Sequence, residues 1–98
     1  MKRFIVAASP LSEHQTNAIT ALFRSGYGWW HWIENLWLVT DRSETLTCTT
    51  IRDQIKGVAP NARVMVINAD NPDNWAGTAP SGRATEMFKW IRGTWASG

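Results

Sequence analysis

Hydrophobic residues follow two different periods along this chain, and the switches between them mark out its elements. Residues 2–8 (KRFIVAA) end in an apolar run without polar alternation, which predicts a strand covered on both faces and therefore an inner one. Pro10 stops it. Ser12 and Gln15 then have capping-box spacing, and Ala18, Ile19, Leu22 and Phe23 fall on one helical stripe that Gly26 ends. Residues 29–40 (WWHWIENLWLVT) return to aromatic and β-branched chemistry, split at the middle by Glu34-Asn35. This pattern predicts two antiparallel strands joined by a tight connection, read as a two-residue turn in which Asn35 tolerates a positive φ although Glu34 is not a favoured first turn residue. In that register Ile33 faces Leu36, Trp32 faces Trp37, His31 faces Leu38, Trp30 faces Val39 and Trp29 faces Thr40. Opposed residues share a face, so Trp30, Trp32, Trp37 and Val39 fall on one side, and Trp29, His31, Ile33, Leu36 and Leu38 on the other.

Beyond a polar loop at 41–46, Thr47 is placed to cap a second helix with Cys48, Ile51, Ile55 and Val58 on one face. Gly57 and Pro60 mark its end. Residues 63–68 (RVMVIN) read as a fourth strand, again apolar on both faces. The resulting order, βαββαβ, is the ferredoxin-like arrangement, with both helices on one face of a four-stranded sheet. A Pro-, Gly- and Asn-rich connection at 70–82 surrounds Trp75 and reads as an ordered loop or short edge strand. Residues 85–95 carry Met87, Phe88, Ile91 and Trp95 on one helical stripe, with Trp90 on its flank. The expected fold is thus α+β: a single ferredoxin-like domain over 1–98 with a C-terminal helical extension.

Both faces of the hairpin are apolar, and the two helices cover only one of them. The other would expose a patch larger than monomers usually carry. This predicts a homodimer packed sheet against sheet through Trp29, His31, Ile33, Leu36 and Leu38, or the C-terminal segment folded across that face, or both.

Composition narrows the function classes. Ninety-eight residues make one domain, and 44% hydrophobic with 18% charged content is that of a globular protein. A net charge of +2 comes from ten Lys and Arg scattered singly apart from Lys2-Arg3, so charge alone does not indicate nucleic acid. The single cysteine, Cys48, excludes an internal disulfide and offers no metal cluster, which fits a reduced, cytoplasmic protein. The apolar run behind Lys2-Arg3 ends at Ser9-Pro10, too short for an export signal. No stretch approaches the ~20 apolar residues of a membrane span.

The run W-W-H-W-I-E-N-L-W-L-V, then T-x-x-x-I-R-D-Q-I-K, a strand V-M-V-I and a late N-W-A-G resemble the small SinR-like proteins. Those in turn look like the CRISPR-associated endoribonuclease and spacer-acquisition protein that partners the integrase. The resemblance covers residues 3–95, and Trp30, His31, Glu34 and Trp37 carry its most specific pattern. It implies a ferredoxin-like fold, a homodimer built through the sheets and a prokaryotic or phage setting. For some members it implies DNA or RNA binding, or metal-dependent phosphodiester cleavage. The nuclease-like relatives carry a metal-binding Asp at the end of the first strand. Here that stretch reads Ala7-Ala8-Ser9-Pro10, and no Asp precedes Asp41. Hard cations want carboxylates, so the departure argues against a nuclease and predicts neither metal nor cofactor.

Five basic residues are the candidates for phosphate contacts. Arg52 and Lys56 stand one turn apart on the second helix, with Asp53 beside them blunting the field. Lys2, Arg3 and Arg63 lie on two strands read as adjacent inner ones, and gather at one edge only if the strand directions allow it. The tryptophans read as core and interface packing, since 29–40 contains no Lys or Arg to accompany base stacking. His31 and Glu34 are the nearest approach to an acid–base pair. The pleat sets them on opposite faces unless the turn bends Glu34 back, so His31 reads as a sheet-interface histidine bonded locally. Residues 77–82 are Gly-rich without the Lys of a phosphate loop, and Cys48, on an apolar stripe, reads as buried and inert. The leading expectation is a non-catalytic homodimeric binding or assembly module. Its rivals are a metal-dependent nuclease drawing on Asp41 or Asp70, and an antitoxin-like regulator that binds another protein.

Overall fold

In a computed structural model of the chain, which describes residues 1–80 and 82–96, two capping boxes start the two long helices. Ser81 of the 77–82 stretch and Ser97 and Gly98 of the expected domain lie outside the described residues. In α1 (Glu13–Arg24), Ser12 Oγ accepts from the Gln15 N–H at 3.1 Å while Gln15 Oε1 accepts from the Ser12 N–H at 2.9 Å. In α2 (Cys48–Val58), Thr47 and Thr50 exchange the same pair of bonds. Each reciprocal pair satisfies two backbone donors that a helix start leaves open.

The strands are β1 (Lys2–Ser9), β2 (Gly28–Ile33), β3 (Leu36–Asp41) and β4 (Arg63–Asn68), in an antiparallel sheet of order β2-β3-β1-β4. The element order is strand, helix, strand, strand, helix, strand, followed by α3 (Ala84–Trp90), which continues as a π-helical segment (Ile91–Trp95). This is a small α+β domain. No helix of the described residues is long and apolar enough to cross a membrane.

A hydrophobic core lies on each side of the sheet. On one, Phe4, Val6, Trp37 and Val39 meet Ile19 and Phe23 of α1 and Ile51 and Ile55 of α2. On the other, Trp30 meets Met87, Phe88, Ile91 and Trp95, with Ile5, Leu36 and Leu38 packed against them. The C-terminal segment therefore folds across its own sheet, using the stripe that the sequence spacing picks out. Two side chains fasten it. The Trp30 indole N–H donates to the Met87 carbonyl at 2.7 Å, and Arg3 Nε donates to the Trp95 carbonyl at 2.6 Å. The Met87 oxygen is open to Trp30 at the point where α3 gives way to the π-helical segment. There the Ile91 N–H turns to Phe88 O instead.

The hairpin departs from the expected register. Glu34-Asn35 does form the turn, Asn35 has φ 63°, and Ile33 pairs with Leu36. A bulge between Trp30 and Ile33 then shifts the ladder by one, so that Trp30 pairs with Leu38, Trp29 with Val39 and Gly28 with Thr40. One extra residue on one strand exchanges the faces of everything beyond it. Trp29 and His31 consequently join Trp37 and Val39 on the helix-covered face, and Trp30 crosses to the other.

A second correction concerns β4. It lies at the edge of the sheet, and its apolar residues on the face away from the helices are open: Met65 is 62% exposed and Ile67 50%. The C-terminal segment packs over Trp30, Leu36, Leu38 and Ile5 and leaves these two uncovered.

Candidate functional site

The most specific motif of the sequence comes together at the tip of the hairpin. The tip is docked on β1 by two bonds, from Asn35 Nδ2 to the Ala8 carbonyl at 2.9 Å and from the Ala8 N–H to the Asn35 carbonyl at 3.0 Å. His31, beside the bulge, lies flat on the buried Trp37 ring, with centroids 4.2 Å apart and planes 6° from parallel. Its Nδ1 stands 2.8 Å from the Leu36 carbonyl. A carbonyl can only accept, so Nδ1 carries a proton and donates it to Leu36.

The pleat separates His31 from Glu34, but the bulge and turn return both to the wall of one cleft of about 300 Å³, shared with Leu11, Glu13, Thr16 and Asn35. Its polar side chains are two carboxylates, an imidazole, a hydroxyl and an amide, with no Lys or Arg among them. The cleft thus offers mainly hydrogen-bond acceptors.

The five basic candidates do not form one surface. Antiparallel pairing sets Arg63 opposite Ser9, so Arg63 and Arg3 stand six residues apart along β1, about 20 Å. Lys2 Nζ donates to the Leu46 carbonyl at 2.9 Å, and Arg3 is the clamp on Trp95. Both are structural anchors. Arg52 pairs with Asp53 at 2.8 Å in the open, and Lys56 is exposed one turn further on.

Of the five residues assigned to a sheet-to-sheet interface, Leu36 and Leu38 lie beneath the C-terminal segment. Trp29 and His31 stand on the opposite face, and Ile33 is 48% exposed.

Three arginines that the sequence reading passed over sit on tryptophans. Arg24 Cζ lies 5.7 Å from the Trp29 ring centroid, Arg83 5.1 Å from Trp32 and Arg92 6.0 Å from Trp75. A guanidinium over an indole face is held by the ring quadrupole and can still donate N–H groups to other acceptors; Arg83 already gives its Nε to the exposed Glu86 carboxylate at 3.3 Å. Arg24 closes α1, Arg83 precedes α3 and Arg92 lies in the π-helical segment. No local pattern in 29–40 announces them.

The carboxylates named as alternative metal ligands have different surroundings. Asp41 is 1% exposed and knots the loop after β3: Oδ1 accepts from the N–H and hydroxyl of Ser43, and Oδ2 from the N–H groups of Thr45 and Leu46 at 2.9 and 2.8 Å. Burial alone pushes its pKa up, but the Ser43 hydroxyl and the three backbone donors outweigh that and hold the carboxyl below its ordinary range. These donors leave Asp41 little capacity for a cation. Asp70 is exposed beyond β4. Cys48 is half-buried, not fully enclosed, in a groove with Arg52 and Met65. Among the described residues no three His, Cys, Asp or Glu side chains are grouped as metal ligands.

Comparison with protein families, with curated proteins and with solved structures returns no match for this chain.

Proposed function

We propose that this chain is a ferredoxin-like, homodimeric binding or assembly module without catalytic activity, with nucleic acid as the ligand class to test first. The fold reading is supported by connectivity. β1-α1-β2 and β3-α2-β4 each pass over one intervening strand, both helices pack on the same face, and the two units interleave.

The observation that carries the binding role is the open side of β4. An edge strand normally discourages pairing with a charge, a proline or a bulge. From Val64 to Asn68 this one has no charged residue and no proline, and it shows Met65 and Ile67 to solvent. A second copy running antiparallel along this edge covers both side chains and pairs the free backbone groups at once, with one patch serving both subunits.

Sedimentation at micromolar concentration tests this. The wild type is expected as a dimer, and the double variant Met65→Lys, Ile67→Lys as a folded monomer, its dissociation constant raised at least a hundredfold, about 2.8 kcal/mol. A wild type that sediments as a monomer would sink the proposal.

Nucleic acid is favoured over an uncharged partner by the three Arg–Trp pairs, each a stacking surface beside a cation, with Arg24 and Arg92 able to reach a phosphate directly and Arg83 by exchanging its exposed Glu86 for one. Gel-shift titrations with single-stranded RNA and DNA should give binding that weakens as salt rises. The double variant Arg24→Ala, Arg83→Ala should bind at least tenfold more weakly. Absence of any shift at low salt would rule this ligand out. The same oligonucleotides should remain intact with Mg²⁺ or Mn²⁺, and cleavage that a chelator abolishes would restore the nuclease reading.

A further inference from the structure

We propose that the space beneath the C-terminal cover is a binding site for a small neutral aromatic molecule of one or two rings. The space measures about 180 Å³. Its floor is Trp30, Leu36 and Leu38 of the sheet, its roof is Phe88 and Ile91, and Trp75 of the connecting loop forms its side.

Three features select the occupant. The first is size, since an apolar cavity of about 150 Å³ admits benzene and stays dry without it. The second is the polar inventory of the walls. The Trp30 N–H is already spent on the Met87 carbonyl, and among the described residues no buried side-chain nitrogen or oxygen lacks a partner. Among the described residues the lining has one hydroxyl, that of Thr78 on the exposed loop at the mouth, so water is held at the rim and not against the floor, and a charged ligand would lose its hydration there without replacement. The third is the aromatic surround. Phe88 and Trp75 meet at 5.5 Å with planes inclined by 40°, an arrangement that leaves ring faces and edges for a further ring to join.

The way in lies along the connecting loop. It has no regular secondary structure around Trp75, whose outer side carries Arg92. Gly77 keeps this loop close: a Cβ there would come within 2.6 Å of two Phe88 ring carbons. Gly77→Ala must lift the loop from Phe88 or push the Phe88 ring aside, and either loosens the enclosure, while the core between the helices and the sheet stays in place.

The test uses benzene and indole as probes on the whole chain, with indole-3-acetate as the charged control. Thermal melts should rise saturably with the two neutral compounds and not with the acid. In ¹⁵N spectra the perturbed resonances should centre on the indole N–H signals of Trp30 and Trp75. Leu38→Phe, which fills the space, and Gly77→Ala should each weaken indole binding at least tenfold. The proposal is overturned if neither neutral probe shifts the melt or the spectrum up to its solubility. It is also overturned if the perturbed resonances centre on Met65 and Ile67, or if a folded Leu38→Phe binds indole as the wild type does. Should Leu38→Phe fail to fold, the wild-type spectra and Gly77→Ala decide.

Discussion

Trp37→Ala is expected to lower the unfolding free energy by about 4 kcal/mol, the middle of the range for removing a buried aromatic. The indole is fully enclosed between α1 and the sheet, and its N–H donates to Thr20 Oγ1 at 3.0 Å. Thr20 in turn donates to the Thr16 carbonyl at 3.0 Å, so the tryptophan closes a short polar chain inside the core. Alanine leaves a cavity on one side and removes the surface against which His31 lies on the other. A domain of this length holds roughly 5–15 kcal/mol in all, so the variant should approach half-unfolding under mild denaturant. Urea titration followed by far-ultraviolet circular dichroism measures it. Trp37→Phe retains a ring for His31 and loses the N–H, and is expected to cost about 1–2 kcal/mol. If Trp37→Ala shifts the urea midpoint no more than Trp37→Phe does, Trp37 is not the keystone of this core.

Asp41→Ala is expected to cost about 3 kcal/mol, because it strands several backbone donors together, one of them the buried Leu46 N–H. Asn should recover little. It has one oxygen for two pairs of donors, and its NH₂ must face one pair. The sign of the pH effect follows from a carboxyl held below its ordinary range in the folded chain. Around pH 4 the unfolded chain binds the proton first, so protonation favours unfolding. The stability contributed by Asp41 is therefore complete above the unfolded carboxylate value, near pH 4, and is lost as pH falls through the lower folded value. Urea midpoints from pH 6 down to pH 2 should fall more steeply for the wild type than for Asp41→Asn. Parallel curves would mean that another group governs the acid limb.

Local chemistry made most of the elements readable. The capping boxes at Ser12 and Thr47, the bounds of the fourth strand and the C-terminal stripe of Met87, Phe88, Ile91 and Trp95 follow from spacings within a few residues. What failed was what local spacing does not encode. A bulge beside His31 costs no unusual residue, yet it exchanges Trp29 and Trp30 between the cores. The apolar alternation of β4 looks the same for an inner strand and for an uncovered edge, since periodicity counts apolar faces and does not say what covers them. The cleft was foreseen only as a condition on how the turn bends. The Arg–Trp pairs join residues far apart in sequence, and no rule of short spacing reaches them.

The two clamps on the C-terminal cover both grip main-chain oxygens, those of Met87 and Trp95. Every residue type presents the same carbonyl, so attachment of the cover does not depend on which side chains sit at those two positions. Sequence drift can therefore rework positions 87 and 95 while the attachment persists, provided the apolar stripe is kept. Arg3 and Trp30 have no such latitude, and among descendants of this chain those two positions are the ones to stand still.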